Sequence, residues 1–115
     1  MLEFLNDLKE SYPDDFAAIM AGLAKLQSSH YHRPPLSKPI GDALFELRHV
    51  GKLNTRVFYF FVRGRRIIAV HGIRSKAAKI SARDRRVALD RKRDWLERNL
   101  LLNKKQILTH ILKTS

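Results

Sequence analysis

No cysteine occurs among the 115 residues, which excludes disulfides and thiolate-ligated metals and fits a reducing, cytoplasmic setting. No apolar run approaches the ~20 residues a spanning helix needs, and no secretory leader pattern is present, so a soluble protein is expected. Repeats and low-complexity segments are missing as well. Acidic residues are scarce: 11 Asp+Glu stand against 23 Lys+Arg, a formal net charge of +12. The scarcity is uneven. Five of the acids (Glu3, Asp7, Glu10, Asp14, Asp15) fall in the first 30 residues beside only Lys9 and Lys25, leaving 21 cations and six acids for residues 31–115. A basic body with an acidic N-terminal end points first to nucleic acid, because neutralising phosphates releases counterions and drives association. A general basic surface, or one meeting an acidic protein, is the other reading.

The length is that of one domain with one modest core, and the 44 % hydrophobic content suits a globular protein. Leu2, Phe4, Leu5 and Leu8 form a helical stripe over residues 2–10. Pro13 then opens a second helix to about Gln27, with Asp14 and Asp15 at its positive end and Phe16, Ile19, Met20, Leu23 and Leu26 on one face. The two form an αα-hairpin. Residues 28–41, holding Pro34, Pro35 and Pro39, read as a loop. Ala43–His49 alternates as a strand and Val50–Asn54 is a turn. Thr55–Val62 is a central strand whose Val57-Phe58-Tyr59-Phe60-Phe61-Val62 run is too apolar for a loop and too short for a typical helix. Arg63-Gly64-Arg65 makes a hairpin turn into a third strand, Arg66–Ile73. Ser81 with Asp84 is a capping-box pattern opening a helix to about Leu100, and Ile107, Leu108, Ile111 and Leu112 have the spacing of a short further helix. The order α-α-β-β-β-α predicts an α+β two-layer domain: a small antiparallel sheet packed against an N-terminal helical hairpin and a C-terminal helix.

Four segments in this order carry a resemblance: KPI-G-ALFELR, TRVFYFF, IIAVHG-I-SKAAK, and a capped basic helix ending near DWLERN. Together they resemble the phage-derived HigB-like branch of the RelE/ParE toxin superfamily, over about residues 2–99, with 100–115 a basic extension outside it. The resemblance implies a RelE-like fold and the toxin of a two-gene module, neutralised by a helix-turn-helix antitoxin. Most members cut mRNA at the ribosomal A site without metal or other cofactor; the ParE branch instead poisons DNA gyrase. A gyrase-binding protein without nuclease activity and an inactive phage remnant therefore stand as alternatives. Family members usually begin with a strand before the first helix, whereas this chain begins directly at MLEFL; a sheet lacking that strand would expose an edge.

Cleaving RNA without metal uses the 2′-hydroxyl as nucleophile, so the protein must accept its proton, stabilise charge on phosphorus and protonate the leaving oxygen. Arginine matches the second task, being always charged and forked to fit phosphate oxygens. By the resemblance, Arg56, just before the central aromatics, clamps the scissile phosphate, and Arg48 and Lys76 complete the catalytic set. Lys52, Arg74, Lys79, Arg83, Arg86 and Arg93 are assigned to RNA binding. Against these stand plainer roles: a solvated strand-end arginine for Arg56, a salt bridge to Glu46 for Arg48, a surface turn for Lys52, and an ordinary solvated helix face with i,i+4 pairs for the arginines after Ser81. His71, inside IIAVHG, reads as a hydrogen-bonded structural histidine before a general base, and His49 fares no better. His30 and His32 have no acid or thiol to complete a metal site. The Phe run and Tyr59 read as core, with only the Tyr59 hydroxyl able to reach a groove.

Overall fold

The computed structural model describes residues 1–26, 37–62 and 66–114, with side chains as far as residue 99. Three helices and four strands follow in the order α1 (Leu2–Ser11), α2 (Pro13–Lys25), β1 (Ser37–Gly41), β2 (Leu44–Val50), β3 (Asn54–Val62), β4 (Arg66–Ser75) and α3 (Ala82–Thr114). The strands form one antiparallel sheet in the order β1-β2-β3-β4. The α+β class and the helical hairpin are as expected from the sequence.

Alternation along β3 decides where the helices go. Val57 and Tyr59 point to one face, where Leu8 of α1 and Ile19 of α2 complete a buried cluster with Leu26 and Leu47. Phe58 and Phe60 point to the other, packing with Leu44, Val70 and Ala88 of α3 and against the partly buried Trp95. Each fully buried aromatic contributes on the order of 1.5–3 kcal/mol, so β3 is the spine of both clusters. At the break between α1 and α2, the Tyr12 N–H donates to the Leu8 carbonyl at 2.8 Å and the Tyr12 carbonyl accepts from Phe16 at 3.0 Å. Pro13 follows in the first turn of α2, where no donor is needed.

The structure departs from the sequence reading in two elements. Ser37–Gly41, placed in the Pro-rich loop, is an edge strand paired with β2; Pro39 is tolerated there because an edge strand leaves half its N–H groups unpaired. The helix expected to stop near Leu100 continues without a break for 33 residues to Thr114, since no proline or glycine interrupts it. The expected turn at residues 63–65, the first part of the expected loop (28–36) and the expected end of α2 at Gln27 lie outside the described residues.

Two irregularities mark the sheet, and the second positions the candidate site. The β1–β2 turn holds Asp42 and Ala43 at φ 55° and 56°, the left-handed pair of a tight hairpin that usually takes Asn-Gly. Arg85 fastens it by donating to the Ile40 carbonyl and pairing with Asp42, and Lys92 by donating to the Asp42 carbonyl at 2.6 Å. In β4 the register slips: Phe58 pairs His71 but Tyr59 pairs Ala69, so Val70 is an extra, bulged residue. Its carbonyl accepts from Arg91 Nη1 at 2.9 Å. Beyond the bulge the strand has changed phase, so that His71 stacks on Phe58 on the α3 side while Gly72 faces Phe4 of α1. Arg74 consequently turns toward α2.

Candidate functional site

The candidate site is the end of the sheet built by the β2–β3 turn, the last residues of β4 and the segment 76–81. On its α3 side, Arg48 and Arg56 are direct cross-strand partners, which would repel without an anion between them. Glu46, two residues before Arg48 on the same face, supplies it. Its Oε1 lies 2.9 Å from Arg56 Nε and 3.8 Å from Arg48 Nε. The Arg56 N–H is not aimed at that oxygen, and Nη1 has no partner either, so the contact is one of charge more than of directed hydrogen bonding.

Arg56 does not stand at the rim with its fork in solvent. It is 0 % exposed, and Nη2 donates to the Ala77 carbonyl at 2.6 Å, where Asn54 Nδ2 also donates at 3.3 Å. The expected phosphate clamp is instead a buried brace between β3 and the 76–79 segment, because that segment folds back over the third residue of the strand. Arg48 remains 36 % exposed in its side chain, and Lys76 and Lys79 are exposed on either side of the anchored Ala77 and its neighbour. The structure thus gathers Arg48, Arg56 and Lys76 at one place and leaves two of the three open to solvent. Tyr59 is fully buried with its hydroxyl on Ser37 Oγ. Burial pushes its pKa up against the opposing effect of that hydrogen bond, and the hydroxyl does not reach the groove.

On the α2 side of the same end, Arg74 lies flat over Tyr12, its Cζ 3.5 Å from the ring centroid. Its Nε and Nη2 donate to Asp15 Oδ2 at 3.2 and 3.0 Å. The other oxygen, Oδ1, lies 3.2 Å from His49 Nε2. His49 and Arg74 flank Thr55, their common cross-strand partner, and the Thr55 hydroxyl is buried without a hydrogen-bond partner. Tyr12, Pro13, Asp14, Asp15, Lys52 and Arg74 line an open hollow of about 300 Å³. Sequence reasoning named Arg74 and Lys52 but missed Asp15, which is 59 residues away from Arg74 in the chain.

His71 is structural, as its setting in an apolar strand suggested. Nε2 lies 2.9 Å from Asp84 Oδ1, and Nδ1 lies 3.3 Å from Arg91 Nη1. Since arginine can only donate, Nδ1 accepts and Nε2 carries the proton toward Asp84. The capping box forms, with the Asp84 N–H on Ser81 Oγ at 3.0 Å and Ser81 Oγ on Asp84 Oδ2 at 2.7 Å. The His71 and Ser81 hydrogen bonds hold the Asp84 carboxyl below its ordinary value.

The cation excess of α3 divides by direction. Arg85, Arg91 and Lys92 turn onto the sheet, the last also lying over the Phe60 ring at 5.5 Å. Arg83, Arg86 and Arg93 are exposed, but so are Asp90, Asp94 and Glu97 among them, and Arg98 pairs with Asp94 at 2.8 Å. The outer face is therefore of mixed sign, and the open positive charge concentrates at the sheet end around Arg48, Lys52, Lys76, Lys79 and Arg83. Among the described residues no group of three His, Asp or Glu could hold a metal ion, and no helix is long and apolar enough to cross a membrane.

A three-helix, four-strand antiparallel α+β protein of this outline is consistent with the small RelE-like fold. The chain belongs to the family described as phage-derived protein Gp49-like (DUF891), whose model matches residues 3–93, a family known to include RelE-like toxins. No curated protein and no solved structure matches it.

Proposed function

We propose that this chain is the toxin of a toxin–antitoxin module and cuts mRNA on the ribosome without a metal, held in check by a helix-turn-helix antitoxin in the cytoplasm. Family membership supports the toxin class. The observation that carries the RNA-directed reading is the crowding of Arg48, Lys52, Lys76, Lys79 and Arg83 around one end of the sheet, while the carboxylates that face the sheet there, Glu46 and Asp15, are each matched by an arginine. Such an arrangement favours a phosphate backbone laid across the strand ends. Arg48 and Lys76 contact the backbone from the α3 side, Lys52 from the turn, and Arg74 from the α2 side. Arg56 acts through the others, fixing Glu46 and the carbonyl of Ala77.

The test is a defined mRNA in a reconstituted translation reaction, with cut sites mapped by primer extension. Cuts inside A-site codons, absent on free RNA and lost with Arg48→Ala and Lys76→Ala combined, are expected. Intact mRNA with translation still running would overturn the reading and direct attention to gyrase supercoiling.

A further inference from the structure

Metal-free RNA cleavage needs a group that can accept the proton of the 2′-hydroxyl. Of the two histidines whose side chains are described, His71 has both ring nitrogens engaged, by Asp84 and by Arg91. Glu46 is boxed between Arg56 and Arg48 and nearly sealed from solvent. His49 differs from both. Its side chain is 34 % exposed, its Nε2 faces Asp15 Oδ1 at 3.2 Å, and Asp15 itself is only 14 % exposed. Nδ1 has no partner among the described residues.

We propose that His49, oriented by Asp15, is the general base of RNA cleavage by this chain, with Arg74 and Lys52 at the phosphate. This rests on the nuclease reading above and places its chemistry. Three observations support it together. A carboxylate behind one imidazole nitrogen fixes the tautomer that leaves the other nitrogen free to accept. Arg74, sharing that carboxylate, keeps Nη1 uncommitted and is braced against Tyr12, so its fork is preorganised for a phosphorane oxygen. The buried, unpartnered Thr55 hydroxyl lies between His49 and Arg74 on the sheet face, a polar group left for a bound ligand to satisfy.

In the reaction His49 Nδ1 takes the 2′-hydroxyl proton, and the freed oxygen bonds to the adjacent phosphorus. The bond from phosphorus to the 5′-oxygen breaks, and that oxygen leaves with a proton from Lys52, the ammonium that lines the hollow with Asp15 and Arg74. The products are a 2′,3′-cyclic phosphate and a 5′-hydroxyl end. Asp15 from α2 joins His49 to Arg74 of β4, and Asp14 and Lys52 line the hollow beside that pair; Arg48, though adjacent in sequence to His49, points to the opposite face.

Single-turnover cleavage on programmed ribosomes, with ribosome cosedimentation measured in parallel, tests the assignment. His49→Gln is expected to slow cleavage by about 100-fold or more, the scale of a lost general base, with cosedimentation unchanged. Added imidazole is expected to restore part of the rate to His49→Ala. Wild-type rates in His49→Gln, or an inert His49→Ala that imidazole does not rescue, would overturn the proposal while leaving the nuclease reading intact. A wild-type chain that cuts no mRNA would overturn both.

Discussion

Arg56 and Ala77 are joined across the open end of the sheet, the buried guanidinium Nη2 donating to the Ala77 carbonyl oxygen at 2.6 Å. The same side chain faces Glu46 from its Nε at 2.9 Å. One residue thus ties the middle of the sheet to the segment that carries Lys76 and Lys79, and it neutralises a carboxylate that has little access to water.

Arg56→Ala is accordingly a stability variant before it is an activity variant. Removing one partner of a buried pair strands the other charge, at a loss of roughly 3–5 kcal/mol. Replacing both partners together, Arg56→Met with Glu46→Leu, should recover most of that loss. Urea unfolding of the two variants decides the point; an Arg56→Ala chain as stable as wild type would show that the pair contributes nothing.

Gly72 is a packing requirement. A Cβ built there would run into the Phe4 ring, so Gly72→Ala must displace that side chain, a loss of about 1–3 kcal/mol as in other overpacked cores. Phe4→Leu should lose part of its own penalty in the Gly72→Ala background. Thermal melts of the two single variants and the double variant give the coupling, and additive effects would rule out the contact.

The pH dependence of stability contains a contribution from Asp84. Its carboxyl is held below the ordinary 3.8 by hydrogen bonds from His71 and Ser81. A depressed carboxyl stabilises the fold at pH above its unfolded value, and this contribution disappears as pH falls through the folded value. Wild type should therefore exceed Asp84→Asn in stability at pH 5–6, with the gap closing in the region below about pH 4. Chemical denaturation across that range measures it, and a gap that stays constant to the lowest pH would refute the assignment.

Charge reversals should separate the two basic regions. Arg86→Glu and Arg93→Glu lie on a helix face that already mixes signs, so each should change ribosome affinity little. Lys76→Glu, in the concentrated cluster, should weaken it by about tenfold and flatten the salt dependence, because it removes a phosphate contact and its released counterion. Cosedimentation at two or more salt concentrations compares them; equal effects at Arg86 and Lys76 would give Arg86 the RNA-binding part expected of it from the sequence.

Much of the architecture was legible from local patterns. The Val57–Val62 alternation foretold a strand buried on both faces, and the Ser81–Asp84 pair foretold the start of α3. β1 was not legible, because its partner supplies what Ser-Lys-Pro-Ile-Gly lacks in strand propensity. The site was half legible. The motif segments named Arg48, Lys52, Lys76 and Arg74, which the strand order brings to one end of the sheet, but burial of Arg56 depends on a returning segment that no periodicity reveals. Asp15 escaped for a different reason: at the start of α2 it looked like an ordinary helix-terminal acid, and only the folded chain brings it to His49 and Arg74.

The bulge at Val70 bears on how β4 tolerates change in length. Because side chains alternate strictly along a strand, the extra residue acts as a half-step that every later position inherits. Deleting Val70 would remove the bulge and keep every pairing, with Ala69 still opposite Tyr59, His71 opposite Phe58 and Arg74 opposite Thr55, on the side of Tyr12 and Asp15. Losing a paired residue just beyond the bulge, such as Ile73, is the harmful change: Arg74 would then fall opposite Arg56, on the far side of the sheet, and the hollow would dissolve while most of the apolar interior stayed.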